Sequence, residues 1–118
     1  MSKIQIKRVY ETPAPEDGVR VLVERLWPRG LTKAKAKIDL WRKDIAPSPE
    51  LRTWFAHDPA RWEAFKNRYW RELRSNPAAV QTLREHIQKG HVTLVYAAHD
   101  QWHNGALALL EFLDLPQN

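Results

Sequence analysis

Apolar and polar residues alternate at the start of the chain. Ile4, Ile6 and Val9 or Tyr10 stand among lysine and arginine, which predicts a strand with one wetter face. The proline- and acid-rich stretch ETPAPEDG predicts a loop, and VRVLVERL, residues 19–26, a second strand rich in β-branched residues. PRGLTKAKAK reads as a turn and a short basic stretch, weakly helical at most. IDLWRKDI, residues 38–45, alternates well enough to predict a third strand.

The period then changes. Ser48 caps a helix that starts at Pro49 and buries Leu51, Trp54 and Phe55. Asp58 and Pro59 restart it, and Trp62, Phe65, Tyr69 and Leu73 form one helical stripe. Trp54 and Trp62 are read as core, with Trp41 packed beside them. A further helix is capped by Asn76, begun by Pro77 and closed by Gly90, with Val80, Leu83 and Ile87 as its buried stripe. HVTLVYAA predicts a strong strand, and GALALLEFLDL a helix so apolar that it must lie flat against a sheet. Strands separated by helices predict a single α/β domain, a mostly parallel sheet of about four strands packed by helices.

Ligands of such sheets bind beyond the carboxyl ends of the strands. Arg25, Trp27 and Arg29 follow one strand; Ala98, His99, Asp100, His103 and Asn104 follow another. If these strands are parallel neighbours, the two loops share a rim. Arg25 and Arg29 then offer forks of donors for phosphate or carboxylate, and Trp27 a wall. The plainer alternative pairs Arg25 with Glu24, Asp44 or Asp100 and leaves Trp27 in the core. Asn104 and His103 open the last helix, whose free N–H groups attract anions. A histidine there adds a proton or a donor near neutral pH, and Asp100 is placed to orient it or to act as a base. Equally, Asn104 is a plain cap and Asp100 a turn residue. Tyr96 ends the last strand and is a candidate to lend its hydroxyl. His57 reaches the rim only if the fold brings it there.

Composition narrows the classes. The 118 residues are 43% hydrophobic and 28% charged, which suits one folded domain. There is no cysteine, so disulfides, thiolate metal sites and cysteine nucleophiles are excluded. His99, Asp100 and His103 lack further ligands nearby, so no metal site is assigned and no cofactor is specified. No signal-peptide core or membrane-length apolar run is present, and a cytoplasmic protein is expected. Phosphate-loop, dinucleotide and serine-hydrolase motifs are absent. Nineteen Lys and Arg against fourteen Asp and Glu give +5, compatible with anionic partners. Arg61, Lys66, Arg68, Arg71 and Arg74 on one helix, with Lys33, Lys35 and Lys37, support a nucleic-acid surface as an alternative to a small anionic ligand.

The segments RVLVERLWPRGLTK, LWRKDIAPSPELRTWFAHDP, RWEAF and TLVYAAHDQWHNGALALLEFL resemble the YeaO-like group of domain-of-unknown-function family 488, from about Arg8 to Leu113. The resemblance implies a bacterial, cytoplasmic α/β protein and no assigned activity. More distant branches carry cysteines, a glutamate and a Cys-His-Arg cluster around the last strand and loop. Here Tyr96, Ala98, Asn104, Gly105 and Ala106 stand instead, so thiol chemistry of those branches has no counterpart. Within the group, His99 and Trp102 replace an expected basic and an expected acidic residue.

Overall fold

The computed structural model describes residues 4–116. Four strands, β1 (Ile4–Arg8), β2 (Val19–Leu22), β3 (Leu40–Trp41) and β4 (Val92–Tyr96), form one sheet in the order β1-β4-β2-β3. Every neighbouring pair is parallel, with Ile6 opposite Leu94, Val21 opposite Leu94 and Leu22 opposite Trp41. All four carboxyl ends therefore meet at one edge, with β4 and β2 at its centre. The helices are α1 (Lys33–Ala36), α2 (Pro49–Phe55), α3 (Trp62–Arg74), α4 (Pro77–Lys89) and α5 (Gly105–Leu113).

The two-residue period of the strands sorts side chains onto two faces. Val21, Val23, Val92, Leu94 and Tyr96 face one core with Leu51, Phe55, Phe65, Tyr69, Leu73, Val80, Leu83 and Leu109 from α2–α5. Leu22 and Val95 face a smaller core with Val9, Ala36, Trp27 and Trp41. Trp41 thus packs away from Trp54 and Trp62, against the expectation, because its position along β3 turns it to the thin face. There its indole N–H donates to the Glu24 carbonyl at 2.7 Å.

The expected third strand over 38–45 shrinks to Leu40–Trp41, and Lys43–Ile45 curl into a 3₁₀ turn. Only the residues opposite Val21 and Leu22 find a ladder partner. Ser48 caps α2 by accepting from Leu51 N at 3.2 Å, and its hydroxyl donates to Glu72 of α3 at 2.6 Å. Asp58 caps the 3₁₀ turn Pro59–Arg61 rather than α3 itself. Asn76 makes no side-chain cap; its amide donates instead to the Asp44 carbonyl at 2.9 Å, tying α4 to the 43–45 turn. Aromatic groups in the core or packed against it keep partners for their polar ends. Tyr69 O–H donates to the Ile45 carbonyl at 2.6 Å, and Trp70 N–H to the Ala108 carbonyl at 2.9 Å.

Candidate functional site

Where β2 and β4 end side by side, the chain opens into two adjoining hollows. The inner one, about 300 Å³, is lined by Val23 and Glu24 after β2, Ala98, His103, Asn104 and Gly105 after β4, and Arg52, Ala56 and His57 at the end of α2. The outer cleft, about 530 Å³, is lined by Tyr10, Leu26, Trp27, Arg29, His99 and Asp100. Glu24, Arg52, His57 and Ala98 line both.

The two polar loops therefore share a rim, but their residues divide. His103 and Asn104 line the inner hollow; Trp27, Arg29 and Asp100 line the outer cleft; Arg25 and Tyr96 line neither. Arg25 donates from Nε to the Pro47 carbonyl at 2.8 Å and from Nη2 to the Ala46 carbonyl at 3.2 Å. It thus holds the 46–47 segment, itself a wall of the inner hollow, and does not pair with Glu24, Asp44 or Asp100. Tyr96 is 3% exposed in the main core. Burial pushes its hydroxyl pKa up, aided by Glu11 and Asp100 against the opposing pull of Arg8. Trp27 meets Trp41 edge-on at 5.4 Å, and its indole N–H donates to the Leu31 carbonyl at 2.7 Å. Arg29 is exposed, and its carbonyl accepts from Tyr10 O–H at 2.9 Å.

The 97–104 loop folds around Asp100. Its carboxylate accepts from Trp102 N at 2.9 Å and His103 N at 3.1 Å, and meets His103 Nδ1 at 2.9 Å. The Trp102 N–H, joined by His103, holds the Asp100 pKa below its ordinary value. Asn104 is buried, donates to the Asp100 carbonyl at 3.0 Å and accepts from Leu107 N at 2.8 Å. The His103 ring stands edge-on to Trp62 at 5.4 Å. An aspartate against Nδ1 fixes the ring so that the other nitrogen is the one left for a ligand or proton.

Sequence reasoning gave little weight to three residues that share this place. Glu24 was considered only as a partner for Arg25; it accepts from Ala97 N at 3.2 Å, bridging β2 to the loop after β4. Burial pushes its pKa up, against the opposing pulls of that N–H, Arg52 and His57. Arg52 is not singled out by the sequence pattern, and its side chain has no hydrogen bond or ion pair among the described residues. His57 sits at φ 56 beside Ala56 at φ 49. Two consecutive non-glycine residues in the left-handed region are uncommon, and such strain gathers at functional sites. The available signal was the HDP turn, one residue past a helix cap, Ala56, that is not glycine.

The basic face of α3 is largely engaged. Arg68 lies 4.1 Å over Trp54, which Arg61 also approaches at 5.2 Å while bonding its carbonyl. Lys66 pairs with Glu111 at 3.1 Å and Glu63 at 3.4 Å, and Arg74 lies 5.8 Å over Phe112. α1 packs on the thin face through Ala36 and α3 on the other through Phe65 and Tyr69, so the two basic segments flank opposite faces of the sheet. Among the described residues no cluster of metal-ligating side chains occurs, and no helix is long and apolar enough to cross a membrane.

Residues 3–117 match the family described as the inactive DUF488-N3 subclade, and the chain belongs to that family. It is similar to uncharacterized protein YeaO of Escherichia coli, 39% identical over 110 residues, which cover 93% of this chain and 96% of that one. It is also similar to uncharacterized protein Rv3073c of Mycobacterium tuberculosis, 40% identical over 113 residues, covering 96% and 95% of the two chains. No solved structure matches the chain.

Proposed function

We propose that this member of the inactive DUF488-N3 subclade binds a small phosphate- or carboxylate-bearing molecule at the carboxyl edge of its sheet and does not transform it. The observation that carries the reading is convergence: Arg52, His57 and His103 line one hollow together with Asn104 and Gly105 at the start of α5. Arg52 and His57 have no side-chain hydrogen bond or ion pair among the described residues, and His103 gives only Nδ1 to Asp100, so these groups can attract an external anion. The first N–H groups of a nine-residue helix add to that attraction. Glu24 opposes an anion when ionised. Burial lessens that opposition by pushing its pKa up, towards the neutral acid.

Arg25 serves this site from behind, by holding the Ala46–Pro47 wall. That wall touches α5 closely, since a Cβ added at Gly105 would lie 3.4 Å from Pro47 Cγ. The Asp100–His103 pair would suit acid–base work, yet the subclade is described as inactive. Binding without turnover is the reading that this description favours.

Calorimetric titration with inorganic phosphate and acetate tests it. The wild type should bind at least one of them, and Arg52→Ala should weaken that binding by roughly tenfold or more. The proposal is wrong if neither anion binds at millimolar concentration, or if Arg52→Ala and His57→Gln bind as the wild type does.

A further inference from the structure

The inner hollow and the outer cleft differ in chemistry but share four lining residues, Glu24, Arg52, His57 and Ala98. A molecule held by Arg52 and His57 is therefore already at the mouth of the cleft. The cleft is walled by Trp27, Leu26 and Tyr10. Leu26 is 64% exposed and Tyr10 45%. Single exposed apolar residues are ordinary, but two of them facing one cleft, beside a tryptophan, form a surface that a ligand would cover. A third exposed apolar residue, Trp102, belongs to the loop that carries Asp100.

The Trp27 ring is fixed from two sides, by its bond to the Leu31 carbonyl and by Trp41. Tyr10 is fixed as well, through its hydroxyl on the Arg29 carbonyl. Rigid aromatic walls that need no ordering on binding favour a rigid, flat partner. The inner hollow alone, about 300 Å³, lies at the small end for organic ligands, whereas the adjoining cleft of about 530 Å³ leaves room for a larger body.

We infer that the two hollows form one bipartite site, taking a molecule whose anionic group enters the inner hollow and whose flat apolar ring lies in the outer cleft against Trp27, Leu26 and Tyr10. This rests on the anion-binding reading and adds the class of ligand: an aryl or heteroaryl phosphate or carboxylate. The polar groups at the cleft's rim, Arg29, His99 and Asp100, would meet substituents on the ring and leave its face to the aromatic wall.

Paired titrations of the full chain test the inference: inorganic phosphate and glycerol phosphate against phenyl phosphate, acetate against benzoate, and phenol alone. In whichever series binds, the ring-bearing anion should bind roughly tenfold more tightly than its ringless counterpart. The Trp27 indole N–H resonance should move with the ring-bearing anion and stay in place with the ringless one. Leu26→Ser and Tyr10→Ala, checked for folding by their thermal melts, should bring the affinity ratio towards one. Equal affinities for ringed and ringless anions, with binding still lost in Arg52→Ala, overturn the bipartite site and leave anion binding standing. Phenol binding as tightly as phenyl phosphate also overturns it. If no anion binds at all, both readings fail. The ligand series on the wild type decides the matter even if a variant does not fold.

Discussion

At the amino edge of the sheet, Arg20 is buried, with its guanidinium on Asp17 at 2.7 Å and on the Ala36 carbonyl at 2.8 Å. At the carboxyl edge, Arg52 lines an open hollow and its side chain has no hydrogen bond or ion pair among the described residues. Asp17 is equally saturated. It pairs with Lys7 at 3.1 Å and accepts from Ala14 N at 3.0 Å, while its carbonyl accepts from Thr93 at 2.7 Å. Even the backbone is closed in: Gly18, at φ 65, approaches so near that a Cβ there would lie 2.3 Å from the His91 carbonyl oxygen. Both edges are rich in charge. What separates a strut from a candidate site is whether each charged group already has its partners.

The sharpest way to break that comparison is to remove one partner at each edge. Asp17→Asn leaves Lys7 and Arg20 without their anion and should cost about 3–5 kcal/mol in urea denaturation. Arg52→Ala should change stability by no more than about 0.5 kcal/mol. Equal losses in the two variants would mean that the edges are not different in kind. Acid adds a second reading of Asp17. Burial raises its pKa, but the Ala14 N–H, Lys7 and Arg20 outweigh that, and the folded value lies below the ordinary one. Its contribution is therefore present above the unfolded value of about 3.9 and is lost as pH falls through the folded value. Asp17→Asn should flatten that acid limb.

Arg25 lies between the two cases, and it shows what the sequence could and could not convey. The strands, the helical stripes and the placing of two polar loops at one rim were legible, because they follow from periods of two and of 3.6 and from parallel pairing. Which guanidinium enters the hollow beside His103 and Asn104 was not. Two residues after Val23 a guanidinium turns to backbone carbonyls of residues 46–47, a contact no pattern encodes. Arg52 and His57 arrive from a helix end distant along the chain, where a turn without glycine was the single local hint. Trp41 was misplaced for a related reason: a two-residue strand is too short for its alternation to declare a face.

Arg25→Ala should accordingly behave as a loss of support. Two charged hydrogen bonds vanish and two carbonyls lose their donors, at about 1–2 kcal/mol in thermal denaturation. Anion affinity should fall with it, because the Ala46–Pro47 wall is released. Arg25→Lys, which cannot reach both carbonyls with one fork, should rescue stability only in part. Full rescue by lysine would reduce Arg25 to a simple positive charge.

A smaller effect of opposite sign is expected at Ala56. Its φ of 49 ends α2 in the left-handed region, with its N–H on the Arg52 carbonyl at 3.0 Å. Glycine occupies that region without strain, so Ala56→Gly should stabilise the fold by about 0.5–1 kcal/mol. It should also loosen the turn that aims His57 and weaken anion binding. A gain in both stability and affinity would show that the turn holds no strain for the site's benefit.

The smallest change tests Glu24, the one acid that lines both hollows. Burial raises its pKa more than the Ala97 N–H, Arg52 and His57 lower it, so the fold prefers the neutral carboxyl. The sign follows. A folded value above the unfolded one contributes stability that is complete below the unfolded value, about 4.3, and is lost as pH rises through the folded value. Above the folded value the wild type therefore carries a carboxylate that its surroundings disfavour. Glu24→Gln keeps an oxygen for the Ala97 N–H and removes that charge. The variant should match or slightly exceed the wild type in stability at pH 7 and lose that advantage towards pH 4. Its anion affinity should exceed that of the wild type a few-fold where Glu24 is ionised and converge with it in acid, where both carry a neutral group in the hollow lined by Arg52, His57 and His103. An amide variant that binds anions more weakly than the wild type at neutral pH would mean that the carboxylate orients Arg52 and His57 and does not compete for them. The hollow would then be an internally balanced cluster, closer in kind to Asp17 and Arg20 than to an open site.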